Sequence, residues 1–185
     1  MEKLLRRLWK EGRRLSLYSN RGEPDKFDFG RLLCVSDAWY ALECVCLSGE
    51  YDGVIVDSIK NVRRVECDGQ YDEKMRKLCA DEAFGSFEGT LEEARLRESL
   101  LDVAARTREV VSIELQGNDS DSFDSVGIVE KLEDGLCKLL EVDCYGYADG
   151  ESYFRVEDVS MILYAGASER RRRRLWEINQ RAQAN

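Results

Sequence analysis

Apolar positions change their period along this chain, and the changes mark its elements. Leu4, Leu5, Leu8 and Trp9 recur at helical spacing opposite a basic face. Leu15 and Leu17 alternate with polar residues, the period of a half-buried strand, until Arg21-Gly22-Glu23-Pro24-Asp25 breaks it. A second strand runs to about residue 36, Asp37-Ala38 turns, and residues 39–47 make a third. Asp52-Gly53 predicts a hairpin turn, because glycine tolerates the positive φ such turns require. Val54-Ile55-Val56 and residues 62–66 follow as strands, and residues 71–79 read as a helix. The pattern then restarts. Thr90-Leu91-Glu92-Glu93 is a capping box opening a helix to about residue 106. Strands are expected over 111–115, 126–132, 136–144, 152–156 and 159–164, with helix again from Ser168.

The restart is a duplication. Shifted by 97, residues 30–66 match 127–163 without a gap. Identities include Gly30/Gly127, Asp37/Asp134, Leu42/Leu139, Val45/Val142, Gly49/Gly146, Asp52/Asp149, Gly53/Gly150 and Val62/Val159. Three of these pairs are glycines, so the match is one of backbone punctuation. Gly30, Gly53, Gly127 and Gly150 are assigned to structural turns. The organisation expected is a first module over residues 1–82, a hinge over 83–89 containing Phe84-Gly85-Ser86-Phe87-Glu88-Gly89, and a second module over 90–185. Each module is a helix, five short strands and a trailing helix, hence a mainly β chain with helices.

Charge sharpens this picture. The net charge is −9, yet residues 1–14 and 166–185 each carry six basic and two acidic side chains, leaving −17 for the stretch between. Seven cysteines, an odd number set in apolar runs, suit reduced buried thiols in a cytoplasm better than a disulfide framework. No apolar run approaches the roughly 20 residues of a bilayer crossing, and residues 1–14 lack the apolar core of a signal peptide.

A resemblance enters at the turn phrases. Val126-Gly127-Ile128-Val129, Asp143-Cys144-Tyr145-Gly146-Tyr147-Ala148-Asp149-Gly150 and Arg155-Val156-Glu157-Asp158-Val159 resemble a group of bacterial Sm-like (LSm) or SH3-like small-barrel proteins of largely uncharacterised role. The resemblance implies two tandem five-stranded bent β-barrels, each preceded and followed by a helix. RNA-binding Sm proteins offer an Asp and an Asn after the second strand. This chain has Asp37-Ala38-Trp39 and Asp134-Gly135-Leu136 there, and of the later Arg-Gly pair only Arg155 matches.

Candidate chemistry is sparse. With no histidine, a nucleophilic cysteine or serine lacks its usual base, and the expectation is no enzyme, no catalytic residue and no cofactor. Cys44-x-Cys46 places two thiols on one strand face, but their counterparts are Glu141 and Asp143, so no metal site is expected. Asn118 to Asp124 is read as a solvated turn, since it lacks the glycine and distant glutamate of a calcium loop. Arg170, Arg171, Arg172, Arg173 and Arg174 are the most unusual feature. Five in a row circle a helix, so the preferred reading docks that helix through Leu175 and Trp176 with its arginines paired to the acidic body. The alternative is nucleic-acid (RNA) binding through those arginines. The function expected is a non-enzymatic binding or assembly module, engaging protein or itself and not a membrane.

Overall fold

The computed structural model describes residues 1–19, 26–79, 84–117 and 122–184, and within these the chain is mainly β, with ten antiparallel strands and four helices. The first-copy break at Arg21–Asp25 and most of the acidic turn from Asn118 lie outside the described residues. No helix among them is long and apolar enough to cross a membrane. The chain divides into two compact units, Met1–Leu96 and Arg97–Asn185.

The first unit holds α1 (Glu2–Lys10), β1 (Arg14–Ser19), β2 (Asp28–Val35), β3 (Trp39–Val45), β4 (Tyr51–Ser58), β5 (Val62–Glu66) and α2 (Gln70–Leu78). Its strand order is β5-β1-β2-β3-β4. A 3-10 turn, Ile59–Asn61, joins β4 to β5, and these two strands do not pair with each other. The five strands thus form an unclosed antiparallel sheet. Leu5 and Leu8 of α1 pack with Leu15, Leu17, Leu32, Leu42 and Val62 into its core.

The second unit repeats every element: α3 (Leu96–Thr107), β6 (Val110–Leu115), β7 (Ser125–Glu133), β8 (Leu136–Val142), β9 (Ala148–Arg155), β10 (Val159–Tyr164) and α4 (Ala167–Gln183), ordered β10-β6-β7-β8-β9. The offset of 97 places β3 on β8 and β4 on β9, and α2 and α4 begin at the same position. Around the first strands the offset is 96: Leu15 faces Gly30 as Val111 faces Gly127.

The glycines do different work from that expected. Gly53 and Gly150 lie inside β4 and β9, not in hairpin loops. Glu43 faces Val54 and Val45 faces Tyr51, so Asp52 and Gly53 together oppose one residue, a β-bulge that uses the positive φ of Gly53. The hairpin loop itself closes at Cys46–Glu50, where Gly49 turns at φ 85°, and Gly146 repeats it. Gly30 and Gly127 are mid-strand. A Cβ on Gly30 would stand 2.1 Å from the Glu43 carbonyl oxygen, and one on Gly127 2.0 Å from that of Leu140. Only glycine lets these strands approach so closely.

Candidate functional site

The arginine run lies on α4, which packs on β6 of its own unit. Trp176 is half-buried against Val110, Ile128 and Val142. The backbone at Leu175–Trp176 fits so tightly over the loop that a Cβ on Gly146 would lie 2.5 Å from the Leu175 side chain. In the first unit Gly49 meets Leu78–Cys79 in the same way. Docking of the helix through Leu175 and Trp176 is therefore what the geometry displays.

The arginines reach carbonyl oxygens as well as carboxylates. Arg170 donates to the Ala165 carbonyl at 2.6 Å and Arg172 to that of Val142 at 2.7 Å. Arg173 donates to the carbonyls of Thr107 (3.2 Å) and Arg108, and pairs with Glu177 (2.8 Å) and Glu109 (3.6 Å). Charged donors on neutral acceptors make strong bonds. Arg171 and Arg174 remain exposed, and their counterparts on α2 are the exposed Lys74 and Lys77.

At the head of each trailing helix sits a buried acid. Asp72 and Glu169 occupy equivalent first-turn positions and are 4% and 3% exposed. One Glu169 oxygen accepts from Ser112 Oγ at 2.6 Å, one Asp72 oxygen accepts from Arg76 at 2.8 Å, and the other oxygen of each has no hydrogen-bond partner. Negative charge there faces the positive end of the helix.

Two arrangements in the first unit escaped the sequence reading. Glu43, on β3, is fully buried. Its carboxylate accepts from Arg31 (3.0 Å), from the Gly85 N–H (3.0 Å to each oxygen) and from the Phe87 N–H (3.1 Å). The segment expected to be a hinge is thus held against β3. Phe84 also stacks beneath guanidinium groups, 4.6 Å from Arg14 and 5.8 Å from Arg31.

The second is a set of carboxylates toward the other strands. Asp57 is fully buried, accepting from the Ser58 N–H (2.6 Å) and Asn61 (2.8 Å), with the Tyr40 hydroxyl at 3.5 Å. Burial pushes Asp28 up to about 6, and the nearby charges of Asp57 and Asp52 add to it. Burial likewise raises the Tyr40 hydroxyl and the Cys44 thiol well above their ordinary values. A carboxyl whose folded value is raised contributes most when protonated, and that contribution is lost as pH rises through about 6. Asp28→Asn is expected to stabilise the protein by about 2 kcal/mol near pH 7 and by little near pH 4. Urea titrations of both proteins at the two pH values check this, and an equal effect at both would refute it.

Cys44 and Cys46 diverge instead of sharing a face. Cys44 is buried in the core, whereas Cys46 has left the strand and meets Ser48 Oγ at 2.9 Å. Burial works against ionisation of Cys46, but hydrogen bonds from Ser48 and Glu50 outweigh it and leave the thiol below its ordinary value. Among the described residues no three His, Cys, Asp or Glu side chains converge to hold a metal.

Comparison with protein-family models, curated proteins and solved structures finds no match for this chain.

Proposed function

We propose that this protein is a non-enzymatic assembly module of two Sm-like barrels that joins protein partners, including copies of itself, through strand edges. The strand order within each unit and the close strand approaches at Gly30 of β2 and Gly127 of β7 support the Sm-like reading. What carries the functional reading is two of the unit edges, β5 and β9, which hydrogen-bond within their units to one neighbour each, β1 and β8. Their charges are opposite. β5 exposes Arg63, Arg64 and Glu66, a balance of +1, while β9 exposes Asp149, Glu151 and Arg155, a balance of −1. Apolar side chains stand beside β9, with Tyr145 71%, Tyr153 59% and Leu136 47% exposed. A basic edge and an acidic edge on one chain suit head-to-tail pairing, in which backbone groups supply affinity and charge sets partner and register.

Sedimentation of the reduced protein tests this. Self-association is expected at micromolar concentration, with Arg63→Glu or Asp149→Arg each weakening it about tenfold. Combining the two substitutions restores part of the loss. A chain that stays monomeric at high micromolar concentration, or substitutions without effect, would count against the proposal.

Phosphate binding by α4 is the second reading, favoured by Arg171 and Arg174, exposed three residues apart on one helix. RNA affinity that falls steeply with salt, and disappears when both become glutamine, would move the assignment there.

A further inference from the structure

The duplication lets each unit explain the other at the loop between its third and fourth strands. In the second unit that loop holds a carboxylate. Asp143 Oδ1 accepts from the N–H groups of Tyr145 (2.9 Å) and Tyr147 (2.8 Å), so the backbone there cradles a negative charge. At the offset of 97, Asp143 corresponds to Cys46, Tyr145 to Ser48 and Tyr147 to Glu50. The first-unit loop closes in the same way. The Cys46 N–H donates to the Glu50 carbonyl and the Gly49 N–H to the Cys46 carbonyl, each at 2.9 Å, as Asp143 is bonded to Tyr147 and Gly146 at 2.9 and 3.1 Å. A sulfur thus occupies a place that holds an anion in the other copy. Burial opposes its ionisation, but the Ser48 hydroxyl (2.9 Å) and the N–H groups of Ser48 and Glu50 favour the thiolate and prevail. Cys46 is only half-buried, so solvent reaches it.

A second thiol stands beside it. α2 delivers Cys79 to this loop, where a Cβ on Gly49 would lie 2.9 Å from the Cys79 nitrogen. Val45, the residue before Cys46, packs with Cys79, Phe29 and Met75. Tyr71 packs on the same cluster; burial raises its hydroxyl, and Cys79 and Cys46 both add to the rise. Burial also raises the Cys79 thiol; Arg14 draws it down, and Cys46 pushes it up again. Cys44 belongs to the other core, beneath α1. An accessible thiolate next to a buried, protonated thiol is the arrangement that peroxide oxidises and a disulfide resolves.

We propose that Cys46 is an oxidation site for hydrogen peroxide, resolved by Cys79 as an intrachain disulfide. The Cys46 thiolate attacks one peroxide oxygen, the O–O bond breaks, and the departing hydroxide takes a proton to become water. The Cys79 thiol then gives up its proton, and its sulfur attacks the sulfenic sulfur of Cys46. The S–O bond breaks, and the second hydroxide leaves with that proton as water. Two thiols lose two electrons and two protons, and one peroxide becomes two waters. The result is a clasp. In the second unit Asn179 ties α4 to the Tyr145 and Gly146 carbonyls, and Arg172 ties it to that of Val142. The counterpart of Arg172 is the apolar Met75, and that of Asn179 lies outside the described residues. The disulfide holds α2 to its loop where hydrogen bonds hold α4, and it does so only after oxidation. Neither thiol belongs to β5 or β9, so the pair stands independently of strand-mediated assembly.

The reduced full chain, treated with a small excess of hydrogen peroxide under inert gas, alkylated and digested, gives the test by mass spectrometry. The expected product links Cys46 to Cys79 and consumes two of the seven thiols. In Cys79→Ser the link is lost, and dimedone labels the sulfenic acid of Cys46 instead. Ser48→Ala removes one hydrogen bond to the sulfur and slows oxidation about threefold. Cys46→Asp copies Asp143, so it should melt within about 3 °C of the parent while peroxide no longer consumes Cys79. Oxidation of the exposed Cys144 ahead of Cys46, or a main product joining Cys46 to another cysteine, would overturn the proposal. So would an unlabelled Cys46 in Cys79→Ser, an unchanged rate in Ser48→Ala, or a Cys46→Asp chain that fails to fold.

Discussion

Replacing Glu43 with alanine should cost about 2–3 kcal/mol of stability, one of the larger single-residue losses expected in this protein. Its carboxylate accepts from the N–H groups of Gly85 and Phe87, and it also answers Arg31. Removing it leaves two backbone donors without their acceptor and a guanidinium without its counter-charge. Arg31 retains 36% of its side-chain exposure, so water recovers part of its loss. The Gly85 N–H is on an exposed residue and that of Phe87 on a half-buried one, so water recovers part of their loss as well. Glu43→Gln should fall between, since it keeps one acceptor oxygen but turns an amide donor toward backbone donors. Urea denaturation measures the loss. Limited proteolysis adds a local readout, with cleavage within residues 84–89 accelerated before global unfolding. In an Arg31→Ala background the cost of Glu43→Ala should shrink, which a double-mutant cycle detects. A loss below about 1 kcal/mol would mean that this carboxylate does not hold the segment.

The second large effect is expected from ending the chain at Gly166, which removes α4. Burial of Trp176 and Leu175 contributes on the order of 2–5 kcal/mol. The hydrogen bonds of Glu169 to Ser112, Arg172 to Val142, and Asn179 to the carbonyls of Tyr145 (3.0 Å) and Gly146 (2.9 Å) disappear with it. A fall of about 10 °C or more in melting temperature is the expected result for a chain of this size. Salt restores only the part due to self-repulsion of the acidic body, which is screened over about 10 Å. Because Arg170, Arg172 and Arg173 bind carbonyl oxygens, which salt does not replace, most of the loss persists at high ionic strength. An unaltered melting curve accompanied by lost RNA binding would contradict the docking role and favour the phosphate reading.

The strand ladder was legible because alternating apolar positions and repeated glycines encode it directly. The hairpin was displaced because Asp52-Gly53 is a stronger turn signal than Ser48-Gly49, yet both glycines have positive φ and one is needed for the bulge. Glu43 and Asp57 were not legible as buried groups. A charged residue in a strand reads as solvent-facing until its partners, here from residues 31 and 85–87 or 40 and 61, are brought to it by the fold. The equivalence of α2 and α4 was present as Gly69/Gly166, Arg76/Arg173 and Leu78/Leu175, but helices of 9 and 17 residues and an arginine run in only one copy hid it.

Two neighbouring modules of one topology run a kinetic risk, because during folding a strand of one can be taken up by the other. The buried charges supply a proofreading device. Were β3 to insert where β8 belongs, Glu43 would enter the place of Leu140, away from Arg31 and the N–H groups of Gly85 and Phe87. β4 in place of β9 would likewise bring Asp57 to the position of Phe154, which is buried in the second unit. The first exchange strands Glu43 without its donors and the second forces Asp57 into an apolar site, so the misassembled chain is penalised at two positions.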